Sequence, residues 1–533
     1  MDQKTVQARR WYILGVLVIC LLVVILDNTI LNVALKTIQQ DLNASQSDME
    51  WAINSYVLVF AGLLFTFGVL GDRFGRRKIL MIGMLVFGSM SALTAFSHSS
   101  GQLIAARALM GIGGAMVQPQ TLSIITNVFE PRERGKAIGI WAGFSGLAVA
   151  IGPVTGGFLL EHFWWGSVFL INVPIVLVGL VGIGLLVPES RDPRPGRIDP
   201  LGVLLSIAGL VLLVYGIIKG GQTNQWGGVQ VWGTMLLGVA LLAGFVLAER
   251  RSAHPSLDIS LFRNPAFSAG TAAIGFTFLG MMGSTFYLAF YLQLARGYSP
   301  LRAGLCLVAV AVPLMIGAAR SGQMAQRYGP RVVAAAGLLL VTISYIGYVF
   351  VDQNTPLWVI EAQMAVMGLG MGNVMAPATN VVMGAVPREK AGSGAAVNNT
   401  IRQVGGAFGV AILGSILAAA YRGRFGSAGD ALPVQVRGDD VAESIGGTFA
   451  AIGRTVGAVG RGELPQQALA AVPGVQRASV DSFIGAMHVT SVVAAAFTLL
   501  GALVVVAFLP GRAAMDERGA AEQQQVDAAA VGG

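Results

Sequence analysis

From Trp11 to Leu509 the chain returns again and again to long apolar runs. An α-helix needs about 20 such residues to cross the hydrocarbon core of a bilayer. Fourteen runs are read, at 12–34, 51–70, 79–97, 103–128, 136–160, 167–187, 201–219, 231–248, 266–294, 303–325, 332–351, 358–386, 393–420 and 483–509. In lipid every backbone N–H and C=O needs a protein partner, so only helices and closed barrels span. Runs this continuous mean helices. The expected fold class is an all-α polytopic membrane protein with 14 transmembrane helices. Composition agrees, with 54% apolar and 12% charged residues against about 25% charged in soluble domains. The 71 glycines suit helices that approach closely in lipid. A soluble enzyme with one anchor is excluded.

The net charge of +8 invites a nucleic-acid reading, but the positions of the charges explain it better. Lys and Arg of short loops collect on the cytoplasmic side. With the N-terminus inside, the inside segments hold 22 of them and the short outside segments hold 4. Both termini are therefore expected in the cytoplasm, and no nucleic-acid partner is expected. The first run is too long for a signal-peptide core and no cleavage site follows it, so it is expected to remain as a span. Cys20 and Cys306 both fall in spans, and no disulfide is expected.

An internal repeat organises the spans. GVLGDRFGRR at 68–77 matches GQMAQRYGPR at 322–331, with an offset of 254. PRER at 131–134 matches PREK at 387–390, with an offset of 256. Spans 1–6 and 9–14 thus read as two copies of one six-helix unit, with spans 7 and 8 inserted between them. Two parallel repeats around a central site are a transporter design.

Charges and amides inside the spans are the candidate site residues. Asp27 lies in span 1, roughly 12 Å below the outer end, and Arg107 in span 4, roughly 8 Å below it. A carboxylate at bilayer depth costs about 2.5–3.5 kcal/mol, so something must offset or use it. A cation nearby favours the charged form of a carboxylate and desolvation the neutral one. Asp27 is therefore read as a proton-coupling residue tuned by Arg107, the alternative being a static structural pair. Asn28 and Asn32 share a helix face and either line a substrate cavity or bond between helices. Asn398 and Arg402 of span 13 are read as cavity residues, with inward snorkelling as the alternative for Arg402. Glu361 in span 12 is either a second acidic substrate site or a rim carboxylate. The aromatic and Met stripe of span 9, including Phe276, Phe286 and Tyr287, is either a wall for apolar ligands or core.

The loop after span 2 carries Gly68, Asp72, Arg73, Gly75, Arg76 and Arg77. It is read as a charge clamp that holds one state of an alternating cycle, against a plain topogenic loop. Gly75 permits a tight turn, and Asp72 can face a helix N-terminus. In the second copy Gln326 replaces Asp72, so that clamp is expected to be weaker. In span 5, Gly152, Pro153, Gly156 and Gly157 are read as a packed gate against a neighbouring helix, against ordinary small-residue packing. No phosphate-cradling loop, metal-spaced Cys/His cluster or nucleophile triad stands out. No enzyme activity, cofactor or metal is expected.

These motifs together resemble the major facilitator superfamily, and within it the fourteen-span drug:proton antiporters. The likeness rests on ILDNTILNVAL (25–35), GVLGDRFGRRKIL (68–80), RALMGIGGA (107–115), GLAVAIGPVTGG (146–157), FLINVP (169–174), RIDPLG (197–202) and LFRNPAF (261–267). Lys36 stands where a Pro is usual, and WGS at 165–167 departs from the usual WRW. The resemblance implies two six-helix bundles plus a two-helix insertion. The expected division is 1–190 for the N-terminal bundle, 191–255 for the insertion, 256–420 for spans 9–13, 421–482 for a partly ordered outside loop, 483–510 for span 14 and 511–533 for a disordered tail. It also implies coupling through the span-1 carboxylate, and export of amphipathic drugs or antibiotics from a bacterial plasma membrane by drug:proton antiport. Lipids and protons are the further partners, the gradient stands in place of a cofactor, and a monomer is expected. The competing readings are a proton-coupled nutrient importer and a non-transporting receptor or lipid-handling protein.

Overall fold

The computed structural model describes residues 3–191, 199–223, 225–251, 259–386, 391–433, 435 and 439–511. PREK at 387–390, Arg194, Arg197 and the tail 512–533 lie outside them. Every described secondary element is helical. The helices are α1 (Gln3–Asp41), α2 (Gln46–Phe74), α3 (Arg76–Ala95), α4 (Ser100–Val128), α5 (Pro131–His162), α6 (Ser167–Leu170), α7 (Asn172–Leu186), α8 (Pro200–Thr223) and α9 (Val229–Arg251). They continue as α10 (Pro265–Phe290), α11 (Pro300–Tyr328), α12 (Pro330–Tyr348), α13 (Leu357–Gly384), α14 (Ala391–Phe425), α15 (Ile445–Gly460) and α16 (Val472–Phe508).

Eleven helices are long and apolar enough to cross a membrane, or up to twelve with the bent α2 counted as one span. α4 and α5 have spanning length, at 29 and 32 residues, and each carries a proline inside, Pro119 and Pro153. Several helices outrun the apolar segments that mark them. α14 continues to Phe425 and α16 begins at Val472, so the connection between them is shorter than 421–482 and itself contains α15. Polar helix ends project beyond the lipid with their hydrogen bonds intact, which an apolar window cannot register.

The repeat is visible in the packing. α2 and α3 both lie on α4, as α11 and α12 both lie on α13. α1 packs on α5 and α7, as α10 packs on α14 and α16. The repeated loops even share a latch. Gly75 has φ +119 and Gly329 has φ +86, a region that glycine enters without steric penalty. Two residues on, Arg77 Nη2 donates to Gly184 O at 2.6 Å near the end of α7. Its repeat partner Arg331 donates through Nε to Leu509 O at 2.6 Å just past α16. Each half thereby ties its third helix to its last.

The halves meet at one end of the bundle, the end poor in arginine. Gly157 of α5 faces the backbone of Pro300 and Leu301 on α11, and Gly304 of α11 faces Pro153 O. Gly414 of α14 faces Glu50 of α2. Lys36 Nζ donates to Gln293 O at 3.1 Å, and Gln293 Nε2 donates to Val33 O at 2.9 Å. Lys36, the departure from the family pattern, thus joins the two halves. At the arginine-rich end, four ties each stay within one half: Arg10 to Glu133 at 2.8 Å, Arg76 to Asp72 at 2.8 Å, and the two latches. The molecule is closed at the arginine-poor end.

Candidate functional site

Asp27 and Arg107 are in direct contact. α1 carries Asp27 and α4 carries Arg107, both almost fully buried, and Arg107 Nη1 donates to Asp27 Oδ2. The second carboxylate oxygen accepts from Asn172 Nδ2 at 2.9 Å. Asn172 also donates to Ser91 Oγ at 3.0 Å, and Ser91 in turn donates to Phe169 O at 2.8 Å. Arg107 Nε donates to Ala52 O at 3.2 Å, and its guanidinium lies 4.4 Å from the Tyr56 ring centre. Five helical segments of the N-terminal half, α1 to α4 and the α6–α7 stretch, therefore converge on one carboxylate. Such a pair repays its desolvation only when the remaining lone pairs and protons find partners. Here Arg107 Nη2 and Asn172 Oδ1 remain buried without a partner among the described residues. The network is one hydrogen-bond rearrangement away from other arrangements.

Ile171 between α6 and α7 keeps helical angles, φ −60 and ψ −27, so Ser167–Leu186 is one helical stretch, and Asn172 lies on it inside FLINVP. The sequence reading quoted that motif without assigning its amide a role. A buried amide beside a buried carboxylate is the signal that would have found it.

Asn28 Nδ2 donates to Val24 O at 3.0 Å and Asn32 Nδ2 to Asn28 O at 3.1 Å, so both amides bond the backbone of α1. Asn28 also interacts with the Tyr56 hydroxyl of α2. Thr29 and Ile30, on the next face, receive α5: a Cβ at Gly152 would strike the Thr29 side chain, and one at Gly156 would lie 3.0 Å from Ile30 Cγ2. The glycines of span 5 thus bring α5 onto the helix that carries Asp27, while Gly157 and Pro153 meet α11.

The clamp residues are spread over several contacts. Gly68 lies 3.8 Å from Pro119 measured at an ideal Cβ, and Gly71 faces the Gln120 side chain. Asp72 pairs across the turn at Gly75 with Arg76, the first residue of α3. Arg73 is exposed, 5.6 Å from the Phe74 ring centre.

The C-terminal candidates form a separate cluster. Asn398 Nδ2 and Arg402 Nη2 both reach Thr379 Oγ1, each at 3.4 Å, and Arg402 lies 5.7 Å from the Phe278 ring centre. Glu361 is half-buried and has no hydrogen bond or ion pair among the described residues. The place that Arg107 holds in α4 falls in α13 on buried Met364, because Gly111 and Gly368 meet equivalent backbone of α2 and α11. The stripe of α10 is mostly core: Phe286, Tyr287, Phe290 and Tyr291 are buried, and Tyr287 Oη meets Ser491 Oγ at 3.2 Å. No group of three or more His, Cys, Asp or Glu that could hold a metal occurs among the described residues.

Known proteins resemble the chain over nearly its whole length. The chain is 37% identical over 500 residues to the multidrug efflux pump LfrA of Mycolicibacterium smegmatis, which covers 93% of this chain and 96% of that one. It is 33% identical to the tetracenomycin C resistance and export protein of Streptomyces glaucescens, over 99% of this chain and 96% of that one. Among solved structures, a bacterial homologue of the human lysosomal transporter Spinster, in an inward-facing and unoccupied conformation, superposes with a TM-score of 0.64 at 18% identity, over 94% of this chain and 98% of that one. The Major Facilitator Superfamily model matches residues 17–410. The chain is a multi-span membrane transporter, not an enzyme, and it belongs to the major facilitator superfamily.

Proposed function

We propose that the protein exports amphipathic drugs or antibiotics from a bacterial cell by exchange for protons, working as a monomer of fourteen spans with both termini in the cytoplasm. The arginine-rich end is then the cytoplasmic end. The closed, arginine-poor end faces outside, so the state described here faces inward. The relatives' printed activities, drug efflux and antibiotic export, support the substrate class.

One observation carries the coupling. Asp27 is buried, yet both its oxygens are engaged by donors, Arg107 and Asn172. A proton arriving at Asp27 must displace one of them. In the outward-facing state Asp27 takes that proton and releases Arg107. The halves then rock, the proton leaves to the cytoplasm, and Arg107 pairs with Asp27 again. Substrate enters from the inside and is carried outward on the return. The membrane potential contributes about 2.3 kcal/mol per charge per 100 mV, and no cofactor is needed. Lipid surrounds the spans throughout.

The test is efflux of a dye or drug panel from a pump-deficient bacterial host, comparing wild type with Asp27→Asn, with and without a protonophore. Export that stops with the protonophore and is absent in an expressed Asp27→Asn chain is the expected result. Normal export by Asp27→Asn would place coupling elsewhere, with Glu361 the next carboxylate to examine.

A further inference from the structure

The contact between α2 and α14 holds a carboxylate that the coupling cycle above does not use. Glu50 sits in the first turns of α2, is 2% exposed, and its Oε2 meets no donor among the described residues. It fits because α14 presents no side chain there: a Cβ on Gly414 would come 2.6 Å from Glu50 Oε1. Glu50 lines a small cavity together with Gln46, Gln222, Ser415, Arg422 and Glu443. The charged groups of that lining are Arg422 from α14 and Glu443 from the segment before α15; α8 and α2 add only neutral groups besides Glu50 itself. Arg422 is turned toward the end of α8, donating through Nη1 to Gly221 O at 3.2 Å and through Nη2 to Gln222 O. A cation there suits the carbonyl end of a helix. Glu50 thus has no ion pair among the described residues, is enclosed by both halves, and has a second carboxylate across the cavity. A buried carboxylate without a cation costs far more as an anion than as an acid.

We propose that Glu50 is a proton-binding site of the outer gate. It holds a proton while α2 and α14 are in contact and gives it to the external water when they part. The segment around α15 belongs to the same closure. Thr448 of α15 and Ser479 of α16 both bond Tyr421 Oη, at 2.6 and 2.8 Å, while Ser444 meets Gln39 of α1 at 3.5 Å. The segment that carries Glu443 is thus bonded to both halves. Loss of the proton leaves a buried Glu50 anion facing Glu443 across the cavity, which favours parting of α2 from α14 and access of water. The inference rests on the orientation proposed above, but not on Asp27.

The experiment uses the full chain with Cys20 and Cys306 replaced and Ala418→Cys introduced in the cavity lining, in right-side-out vesicles. Labelling by a membrane-impermeant maleimide is followed across external pH and normalised to an exposed Ser427→Cys chain, which corrects for thiol ionisation. A one-proton gate changes its open fraction by up to about tenfold per pH unit. Normalised labelling is expected to rise with that steepness when Glu50 is present and to be flat in Glu50→Gln. Glu443→Gln, which removes the neighbouring negative charge, is expected to shift the rise to lower pH. The same profile with Glu50 and with Glu50→Gln overturns the proposal, as does an absence of labelling at every pH. A rise seen only in inside-out vesicles overturns the orientation instead, and drug export tested on the Asp27 chains reports the coupling separately.

Discussion

Removing one charge from the Asp27–Arg107 pair should hurt more than removing both. The two side chains have no solvent access, and the guanidinium is held by Asp27, by Ala52 O and by the Tyr56 face. Truncating one partner of such a pair leaves an uncompensated buried charge, at a cost of about 3–5 kcal/mol. Arg107→Met belongs at the upper end, because Asp27 then keeps only the Asn172 amide. Asp27→Asn belongs at the lower end, because Arg107 retains Ala52 O and the aromatic face. In the double variant Asp27→Asn with Arg107→Met neither charge is stranded. Single losses of about 5 and about 3 kcal/mol sum to about 8, so a double variant that loses less than either shows a coupling energy of at least about 5 kcal/mol in a double-mutant cycle. The assay is unfolding of the purified protein in detergent, paired with protonophore-sensitive efflux in cells. All three variants should fail to export, while the double variant regains most of the lost stability. Additive stability losses, or a double variant that exports normally, would refute the argument that the pair is both a stabilising contact and the coupling element.

Three further outcomes are expected. Gly75→Ala places a side chain at φ +119, and its Cβ would lie 2.7 Å from Glu189 Oε1, so a stability loss of about 1–2 kcal/mol should appear in detergent unfolding, with Gly329→Ala at φ +86 behaving alike. Gly157→Leu puts its Cβ 2.6 Å from Pro300 O and blocks closure of α5 on α11, so an expressed chain should lose most of its export and gain outside thiol labelling at the closed end. The third concerns the loop before α13. The Thr355 hydroxyl, and next the Asn354 N–H, hold the Asp352 carboxylate below the usual carboxylate range. A lowered carboxylate contributes order above its ordinary value near about 3.9 and loses it as pH falls through the lowered value. The hydrogen-exchange protection factors of residues 352–355, taken relative to the unstructured rate at each pH, should therefore stay constant from neutral pH down to about 4, and Thr355→Ala should raise the pH at which protection is lost.

Much of this architecture could be read from residue patterns because lipid imposes strict rules. Apolar run length located the helices, and two Arg/Gly strings a fixed distance apart exposed the repeat that the Arg77 and Arg331 latches display in three dimensions. Asp27 and Arg107 could be paired in advance because two isolated charges at similar depth have few other solutions. What escaped were relations that depend on rotation about a helix axis. Asn28 and Asn32 reach their own helix backbone, a choice that spacing alone does not make. Asn172 becomes a donor because its face of the helix Ser167–Leu186 turns toward Asp27 and Ser91. Glu50, one residue before the run at 51–70, carries no sequence sign that α14, bare at Gly414, closes over it. Helix ends were misplaced wherever polar turns continued past the apolar core, as at Val472.

The inserted helix α8 makes the two flanks of the transporter unequal. Its Ile207 fills the space beside Gly62 of α2, and the Trp51 and Tyr215 rings lie 6.3 Å apart. Its other edge is bonded to α14, where Ser415 Oγ donates to Ile217 O at 3.0 Å and Arg422 reaches Gly221 O. Along this flank acyl chains meet α8 in place of the line where α2 and α14 touch. The opposite flank, where α5 touches α11, gains no such screen from the insertion. A greasy molecule dissolved in the bilayer therefore has one fenced approach and one unfenced approach to the interior. A twelve-helix relative without the insertion would offer two.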